Sequence, residues 1–401
     1  MYKIEKFIPR EYQNNIHNSI EGKNTLVCLP TGTGKTKLAI MSLIERLNDF
    51  PESKVVIISP TKPLSSQIAK EIKESTNIPQ NEIILLTGTI KPSERTKLFN
   101  DSKVIVATPQ TIQFDLEKKR ISVKDISLLV VDECHRSKEN FANTVVAKEY
   151  VTKAKNPLIL ALTASPGATK EKVSQVCSNL FIKNIELRTE EDEDLSEHIQ
   201  EKESLNIKVK LPVKFQKIQN YLKAHYRSKA IGLKKYGISK PPSSINKTDL
   251  LMYQRGFQAR IKNGDYFAYS GVSEVAEMIK AGHALGLIET QTPNAINEYF
   301  EKLKGESSKA SKNLVKNKLI EKCMELTKEL IASDEKHPKF NKLVEILEEE
   351  YETNPEIKTI IFANYRSTVN EIKNALSSIK NIHPAVLVGQ KNGVTQKDQL
   401  A

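Results

Sequence analysis

The sequence predicts an α/β chain: a parallel sheet with helices on both faces, then a largely helical stretch, then the start of a second α/β unit. Three observations carry this. From residue 24 to about 180, short apolar runs alternate with stretches of helical periodicity, the pattern of strands joined by crossover helices. After an acidic run at 190–203 that alternation stops, and helical periodicity dominates to about 340. At 358–363 an apolar run, "KTIIFA", returns and is followed by a helical pattern. A chain of 401 residues is too long for a single core and divides into two or three domains.

Taken in order, "NTLVCL" (24–29) reads as a buried strand and "KTKLAIMSLIERL" (35–47) as the helix after it. "KVVIISP" (54–60), "EIILLTG" (82–88), "SKVIVATP" (102–109), "ISLLVVDE" (126–133) and "PLILALTAS" (157–165) are further strand candidates. Their near-continuous apolar character suits parallel strands covered on both faces. Helices are expected between them, as in "PLSSQIAKEIKE" (63–74) and "KPSERTKLFN" (91–100). Ligands in such sheets gather at the carboxyl ends of the strands, where the loops beginning at Pro30, Pro60, Thr108, Asp132 and Thr163 fall together. "EEDEDLSEHIQEKE" (190–203) reads as a solvated acidic linker. In the helical stretch, "GISKPPSSINK" (237–247) is a loop candidate. "YRSTVNEIKNALSSI" and "HPAVLVGQ" follow "KTIIFA" as helix and strand.

Composition narrows the partners. Hydrophobic content of 39% and charged content of 27% describe a soluble globular chain with no membrane partner, since no run approaches the ~18 apolar residues of a membrane span. The N-terminus, "MYKIEKFIPREYQ", lacks an apolar signal-peptide core. Cys28, Cys134, Cys177 and Cys323 form no C-x-x-C pair, which argues against a zinc site or disulfide framework and suits a reducing, cytoplasmic interior. The net charge of +12 suits an acidic polymer, and residues 205–292 hold 15 Lys/Arg against 5 Asp/Glu. Eight aromatics from Tyr221 to Tyr269 are interleaved with that charge and suit either helical core or contact with bases.

The chemistry begins at "LPTGTGKT" (29–36), which fits the phosphate-loop pattern G-x-x-x-x-G-K-[ST] except that Leu29 replaces the first glycine. Around Pro30, Thr31 and Thr33, Gly32 and Gly34 can turn backbone N–H groups toward an anion. Lys35 can reach the β- and γ-phosphates of ATP and the Thr36 hydroxyl can ligate Mg²⁺. The strand–loop–helix order adds the helix N-terminus to the phosphate site. "VVDECH" (130–135) ends a strand with two carboxylates, Asp132 suited to Mg²⁺ and Glu133 to polarising the attacking water. His135 is either a polar helix-start residue or a link from the γ-phosphate to a second site.

In order and spacing, "LPTGTGKT", "DECH" and "LTASPG" (162–167) resemble motifs I, II and III of superfamily 2 helicases. The resemblance implies RecA-like lobes, accommodates Leu29, and makes Thr163 and Ser165 coupling residues. "PREYQ" (9–13) resembles the segment ahead of motif I and implies that Gln13 senses adenine. "SPTKPL" (59–64), "TGT" (87–89) and "ATPQTI" (107–112) resemble motifs that track a nucleic-acid backbone, implying contacts from Pro60, Thr61, Lys62, Gly88, Thr108, Pro109 and Gln110. "TIIFANYRSTV" (359–369) resembles motif IV. With "DECHR", "LGLIETQTPNAINEYF" (285–300) and "HPKFNKL" (337–343), the whole chain is similar to archaeal Hef, a relative of the Fanconi anaemia M-type DNA translocases that remodel forked and branched DNA.

The resemblance implies a first RecA-like lobe at 1–190, a linker at 191–204, a basic, thumb-like, DNA-gripping insertion at 205–340 and part of a second lobe at 341–401. Motifs V and VI and a nuclease domain have no counterpart in these residues, so an N-terminal portion weak in ATP hydrolysis by itself is expected. The whole enzyme would be an ATP-dependent DNA helicase of repair or stalled-fork processing, with nuclease or replication partners left open. Two other readings stand beside this one: a RIG-I-like or Dicer-type helicase on double-stranded RNA, and a non-enzymatic DNA-binding module with a vestigial phosphate loop.

Overall fold

The computed structural model describes all residues except 21, 166, 168, 199–202, 380–381 and 389–401. The chain forms two compact units, Met1–Glu203 and Ser204–Ala401.

Unit one is built on seven parallel strands, β1 (Thr25–Cys28), β2 (Lys54–Ile58), β3 (Ile83–Leu86), β4 (Val104–Ala107), β5 (Ile126–Val131), β6 (Ile159–Thr163) and β7 (Asn184–Leu187). Their order is β3-β4-β2-β5-β6-β1-β7. The helices are α1 (Glu11–Ser19), α2 (Lys35–Asp49), α3 (Lys62–Ser75), α4 (Pro92–Asp101), α5 (Pro109–Glu117), α6 (Ala142–Lys153), α7 (Lys170–Asn179) and the short α8 (Glu193–Ser196). The two-residue period of a strand divides the apolar runs between two cores. Val27, Val55, Ile57 and Val130 pack with Tyr12, Leu38 and Ile72 on one face. Their neighbours Leu26, Val56, Ile58 and Val131 pack with Ile112, Val146 and Tyr150 on the other. All six residues of β5 are buried, and each such aliphatic side chain contributes about 1.5–3 kcal/mol on burial.

Two expectations are corrected here. β7 is a strand the apolar pattern does not announce: it lies at the sheet edge, and its Ile185 and Leu187 are half exposed. The acidic run is not a wholly solvated linker. Leu195, the one leucine in it, is fully buried in the first core, and Asp194 pairs with Arg188 at 3.2 Å. Residues 199–202 of that run lie outside the described residues.

Unit two contains α9 (Val213–Gly232), α10 (Lys247–Lys262), α11 (Ala268–Thr290), α12 (Pro293–Gly305), α13 (Lys309–Val315), α14 (Lys318–Ala332), α15 (Pro338–Thr353) and α16 (Arg366–Leu376). One core joins Phe215, Leu222, Ala284, Ile288, Phe300 and Cys323. A second, under the α10–α11 hairpin, joins Leu233, Tyr236, Phe257, Val275 and Met278. The 237–246 segment is irregular apart from one 3₁₀ turn, Pro242–Ser244. It ends at Asn246, which caps α10 by exchanging hydrogen bonds with Asp249 at 2.8 and 2.9 Å. Gln291, in the "ETQ" segment, is buried and accepts from the Thr368 hydroxyl at 2.5 Å, tying α16 to the helices before it.

The strands expected from "KTIIFA" and "HPAVLVGQ" are not formed. Residues 357–363 and 382–388 carry no ladder, and Ile360 and Phe362 are 79% and 91% exposed; 389–390 lie outside the described residues. An apolar run becomes a strand only when a neighbour pairs its backbone, and among the described residues none does so here. The helix between them forms as expected, as α16.

Candidate active site

The parallel sheet puts every strand's carboxyl end on one edge, and β1, β6 and β5 are adjacent there. The phosphate-loop, "TAS" and "DECH" segments therefore leave the sheet side by side. Leu29 N–H donates to the Thr163 carbonyl at 3.1 Å, fixing the loop after β1 to the end of β6.

Gly32 and Gly34 sit at φ +83° and +81°, in the left-handed region that glycine enters without penalty. A Cβ on Gly34 would also come within 2.8 Å of the Gln13 amide nitrogen. Thr33 is buried, with its hydroxyl donating to the Pro30 carbonyl at 2.8 Å, while Thr31 is exposed. Tyr12 donates its hydroxyl to the Thr33 carbonyl, and Gln13 directs its amide at Thr33 and Gly34 carbonyls from 3.4 and 3.5 Å. Gln13 Oε1 accepts from Arg10 N–H at 3.0 Å. In this structure Gln13 thus braces the loop from beneath rather than offering its amide outward.

Lys35 Nζ donates to the Leu29 and Pro30 carbonyls at 3.0 and 3.1 Å. Burial pulls its pKa below the usual lysine range, and Glu133 and Asp132 act in the opposite sense. Burial lifts Asp132 above the usual carboxylate range; Glu133 adds to the rise, while the Ser59 hydroxyl and Lys35 oppose it. Ser59, fully buried, donates to Asp132 Oδ2 at 2.9 Å. Thr36 lies against the Glu71 carboxyl on α3, whose pKa burial raises.

Glu133 is held at φ +51°, a conformation that costs a non-glycine residue of order 1 kcal/mol and clusters at functional sites. Its Oε2 lies 3.3 Å from His135 Nδ1, which is also 3.1 Å from Thr163 Oγ1. A carboxylate only accepts, so Nδ1 carries the proton and faces both oxygens. The Thr163 hydroxyl donates to the Ser165 carbonyl and accepts from Ser165 N–H, at 3.0 and 3.1 Å. Glu133, His135, Thr163 and Ser165 form one connected chain of polar contacts.

The backbone-tracking candidates lie along the same edge, after β2, β3 and β4. Thr61, Lys62, Gly88 and Gln110 are exposed, and Pro60 and Thr108 half-buried. Lys62 reaches Thr89 Oγ1 at 3.4 Å, and Thr89 meets Thr87 at 2.9 Å. Pro109 is a correction: it is buried in the first turn of α5, where its ring fixes the helix start and offers no surface to a ligand. Tyr12, Ser59 and Glu71 were not singled out from sequence. The "SP" before "TKPL" marks only a turn, and a buried tyrosine reads as core until the loop it supports is seen.

These residues fit ATP with Mg²⁺ on three counts. Gly32 and Gly34 hold the loop in a turn at positive φ, with open space beside Gly32. The first turn of α2 carries no acidic residue of its own, and Asp132 is a half-buried carboxylate held by the Ser59 hydroxyl. Mg²⁺ takes only one or two protein oxygens beside phosphates, so the pair Asp132 and Thr36 suffices.

A family model for DEAD/DEAH box helicases matches residues 10–173. A helical-bundle model named for an ATP-dependent RNA helicase matches 214–337. A Methanocaldococcus jannaschii protein whose name assigns it as an ATP-dependent RNA helicase is 34% identical over 98% of this chain and 49% of its own length. The Drosophila melanogaster DEAD-box ATP-dependent DNA helicase Fancm is 29% identical over 98% of this chain and 28% of its own. The chain therefore spans half or less of the length of these curated relatives. The crystal structure of the Pyrococcus furiosus Hef helicase domain superposes with a TM-score of 0.74 at 37% identity, covering 92% of this chain and 78% of that one. With its phosphate loop, "DECH" and "TAS" segments on three adjacent strands, the chain belongs to the DEAD/DEAH box helicases, in the group that contains Hef and Fancm.

Proposed function

We propose that this chain is the nucleotide-binding and nucleic-acid-gripping part of an ATP-dependent DNA helicase or translocase that acts on forked or branched DNA in the cytoplasm. The observation that supports this best is the chain of polar contacts from Glu133 through His135 to Thr163 and Ser165, which begins next to Asp132 and within the electrostatic reach of Lys35. Bound Mg²⁺ would offset the charge of the phosphates. Lys35 and the N-terminus of α2 hold those phosphates, Thr36 and Asp132 orient the metal, and Glu133 positions the attacking water. His135 donates toward Glu133 and Thr163 at once, so a change at either oxygen is felt at the other. Pro60, Thr61, Lys62, Gly88, Thr108 and Gln110 present the edge along which a strand runs.

The M. jannaschii relative and the helical-bundle family carry RNA in their names, so duplex RNA is the competing substrate. The test is binding to a labelled DNA fork, linear duplex DNA and duplex RNA at one fixed salt concentration, because phosphate contacts make affinity fall steeply with salt. The expected order places the fork first; a preference for duplex RNA overturns the choice of polymer. In parallel, wild type binds an ATP analogue and Lys35→Ala binds it at least about tenfold more weakly. Absence of nucleotide binding in both proteins makes the phosphate loop a relic.

A further inference from the structure

The turn between α10 and α11, residues 263–267, is closed by hydrogen bonds and exposes aromatic rings. Asp265 accepts from Arg260 Nε at 2.8 Å and from Phe267 N–H at 3.0 Å, and Gly264 takes φ +88° to close the turn. Behind it, Tyr236 packs against Phe257 and Phe267 with centroids 5.1 and 5.0 Å away, and its hydroxyl meets Ser270 at 2.7 Å. In front of this support stand Tyr266 and Tyr269, 80% and 58% exposed. Their rings are nearly parallel, 16° apart with centroids 6.4 Å apart. Among the described residues neither hydroxyl has a hydrogen-bond partner.

Two tyrosines this exposed bury little apolar surface, so the core does not account for them. On α10, which leads into this turn, Arg255, Gln258 and Lys262 are exposed, and neither of these cations has an acidic partner among the described residues. Open π-faces on this support, with unpaired cations on the helix leading into it, match what a single strand of nucleic acid offers: bases that stack on rings and phosphates that attract cations. A duplex hides its base faces and would leave the rings unused. A protein partner with an acidic face would use the cations but has no need of two parallel rings.

We infer that Tyr266 and Tyr269 are a stacking platform for unpaired bases of a branched nucleic acid, with Arg255 and Lys262 on the adjoining phosphates. The inference rests on the nucleic-acid reading above and adds to it a preference for single-stranded segments, located at the α10–α11 turn.

The experiment uses the full chain, a fork with single-stranded arms and a duplex of equal length, at one salt concentration. Tyr266→Ala with Tyr269→Ala is expected to weaken fork binding about tenfold or more while leaving duplex binding within about twofold. Tyr266→Phe with Tyr269→Phe keeps the ring faces and retains fork binding. In wild type, 2-aminopurine at an unpaired position of the fork is quenched by stacking; in the alanine pair it is not. Unchanged fork binding by the alanine pair overturns the platform, as does an equal loss on fork and duplex, or a phenylalanine pair as weak as the alanine pair. A wild type that binds neither DNA overturns the functional reading and the platform together, whereas intact fork binding by the alanine pair overturns the platform alone.

Discussion

Ser59 shows how much of the site depends on a residue with three polar atoms. Its N–H donates to the Ala107 carbonyl at 3.0 Å, its carbonyl accepts from the Ser65 hydroxyl, and its own hydroxyl donates to Asp132. It thus stands between the loops after β2 and β4, proposed to face nucleic acid, and the carboxylate proposed to hold the metal. Asp132 must be ionised to hold Mg²⁺, and burial has already raised its affinity for a proton. Metal-dependent nucleotide binding should therefore weaken as pH falls from neutral toward that raised pKa. Ser59→Ala removes a donor to the charged form, so the weakening should begin at higher pH. Calorimetric titration of Mg²⁺ and nucleotide at several pH values measures this, and superimposable pH profiles for variant and wild type would sink it. Ser59 was not legible in the sequence, because its partners arrive from β4, α3 and β5. The charged and glycine positions could be named from the sequence as candidates, because phosphate chemistry requires those residue types in that spacing.

At the level of elements, a strand buried on both faces shows itself as an unbroken apolar run, which is why β1 to β6 could be placed from residues alone. β7 could not, since an edge strand with its aliphatic residues turned outward has the pattern of a loop. The runs at 358–363 and 383–388 show the reverse case, an apolar pattern whose pairing depends on neighbours that no local pattern reveals. Helix packing gives a sharp test. A Cβ on Gly271 of α11 would lie 2.9 Å from the Phe257 ring of α10, and overpacking of this kind costs about 1–3 kcal/mol. Because alanine regains about 0.5–1 kcal/mol within a helix, Gly271→Ala should lower the unfolding midpoint in denaturant by the remainder; a raised midpoint would mean that the Phe257 ring moves aside at no cost. At the head of α15, buried His337 lies 3.2 Å from the Ile288 carbonyl through Nε2, accepts from Lys339 N–H at Nδ1, and has its pKa depressed from 6.5 to about 4 by burial. The unfolded chain takes up this proton below about pH 6.5 and the folded one only near pH 4, so the stabilisation is intact above pH 6.5 and falls between the two values. The loss amounts to about 3 kcal/mol. Denaturation of wild type and His337→Gln across that window should show the slope in the first and its absence in the second.

For the molecule as a whole, the two compact units differ in kind: the sheet edge of the first carries the residues proposed to bind nucleotide, and the second carries most of the excess positive charge. The strain at Glu133 links that chemistry to the stability of the entire chain. Glycine would occupy φ +51° without the steric conflict that glutamate meets there, and its greater freedom in the unfolded state offsets only part of the relief. Glu133→Gly should therefore raise global stability by up to about 0.5 kcal/mol while removing the group proposed to position water. The two readouts, an unfolding midpoint and ATP turnover in the presence of DNA, should move in opposite directions. A gain in stability with no loss of turnover would remove Glu133 from the chemistry. The same tension bears on whether the site is a relic. A turn that keeps a strained carboxylate where glycine would relax it is a structural cost with no return in packing, and the proposed role of Glu133 accounts for it.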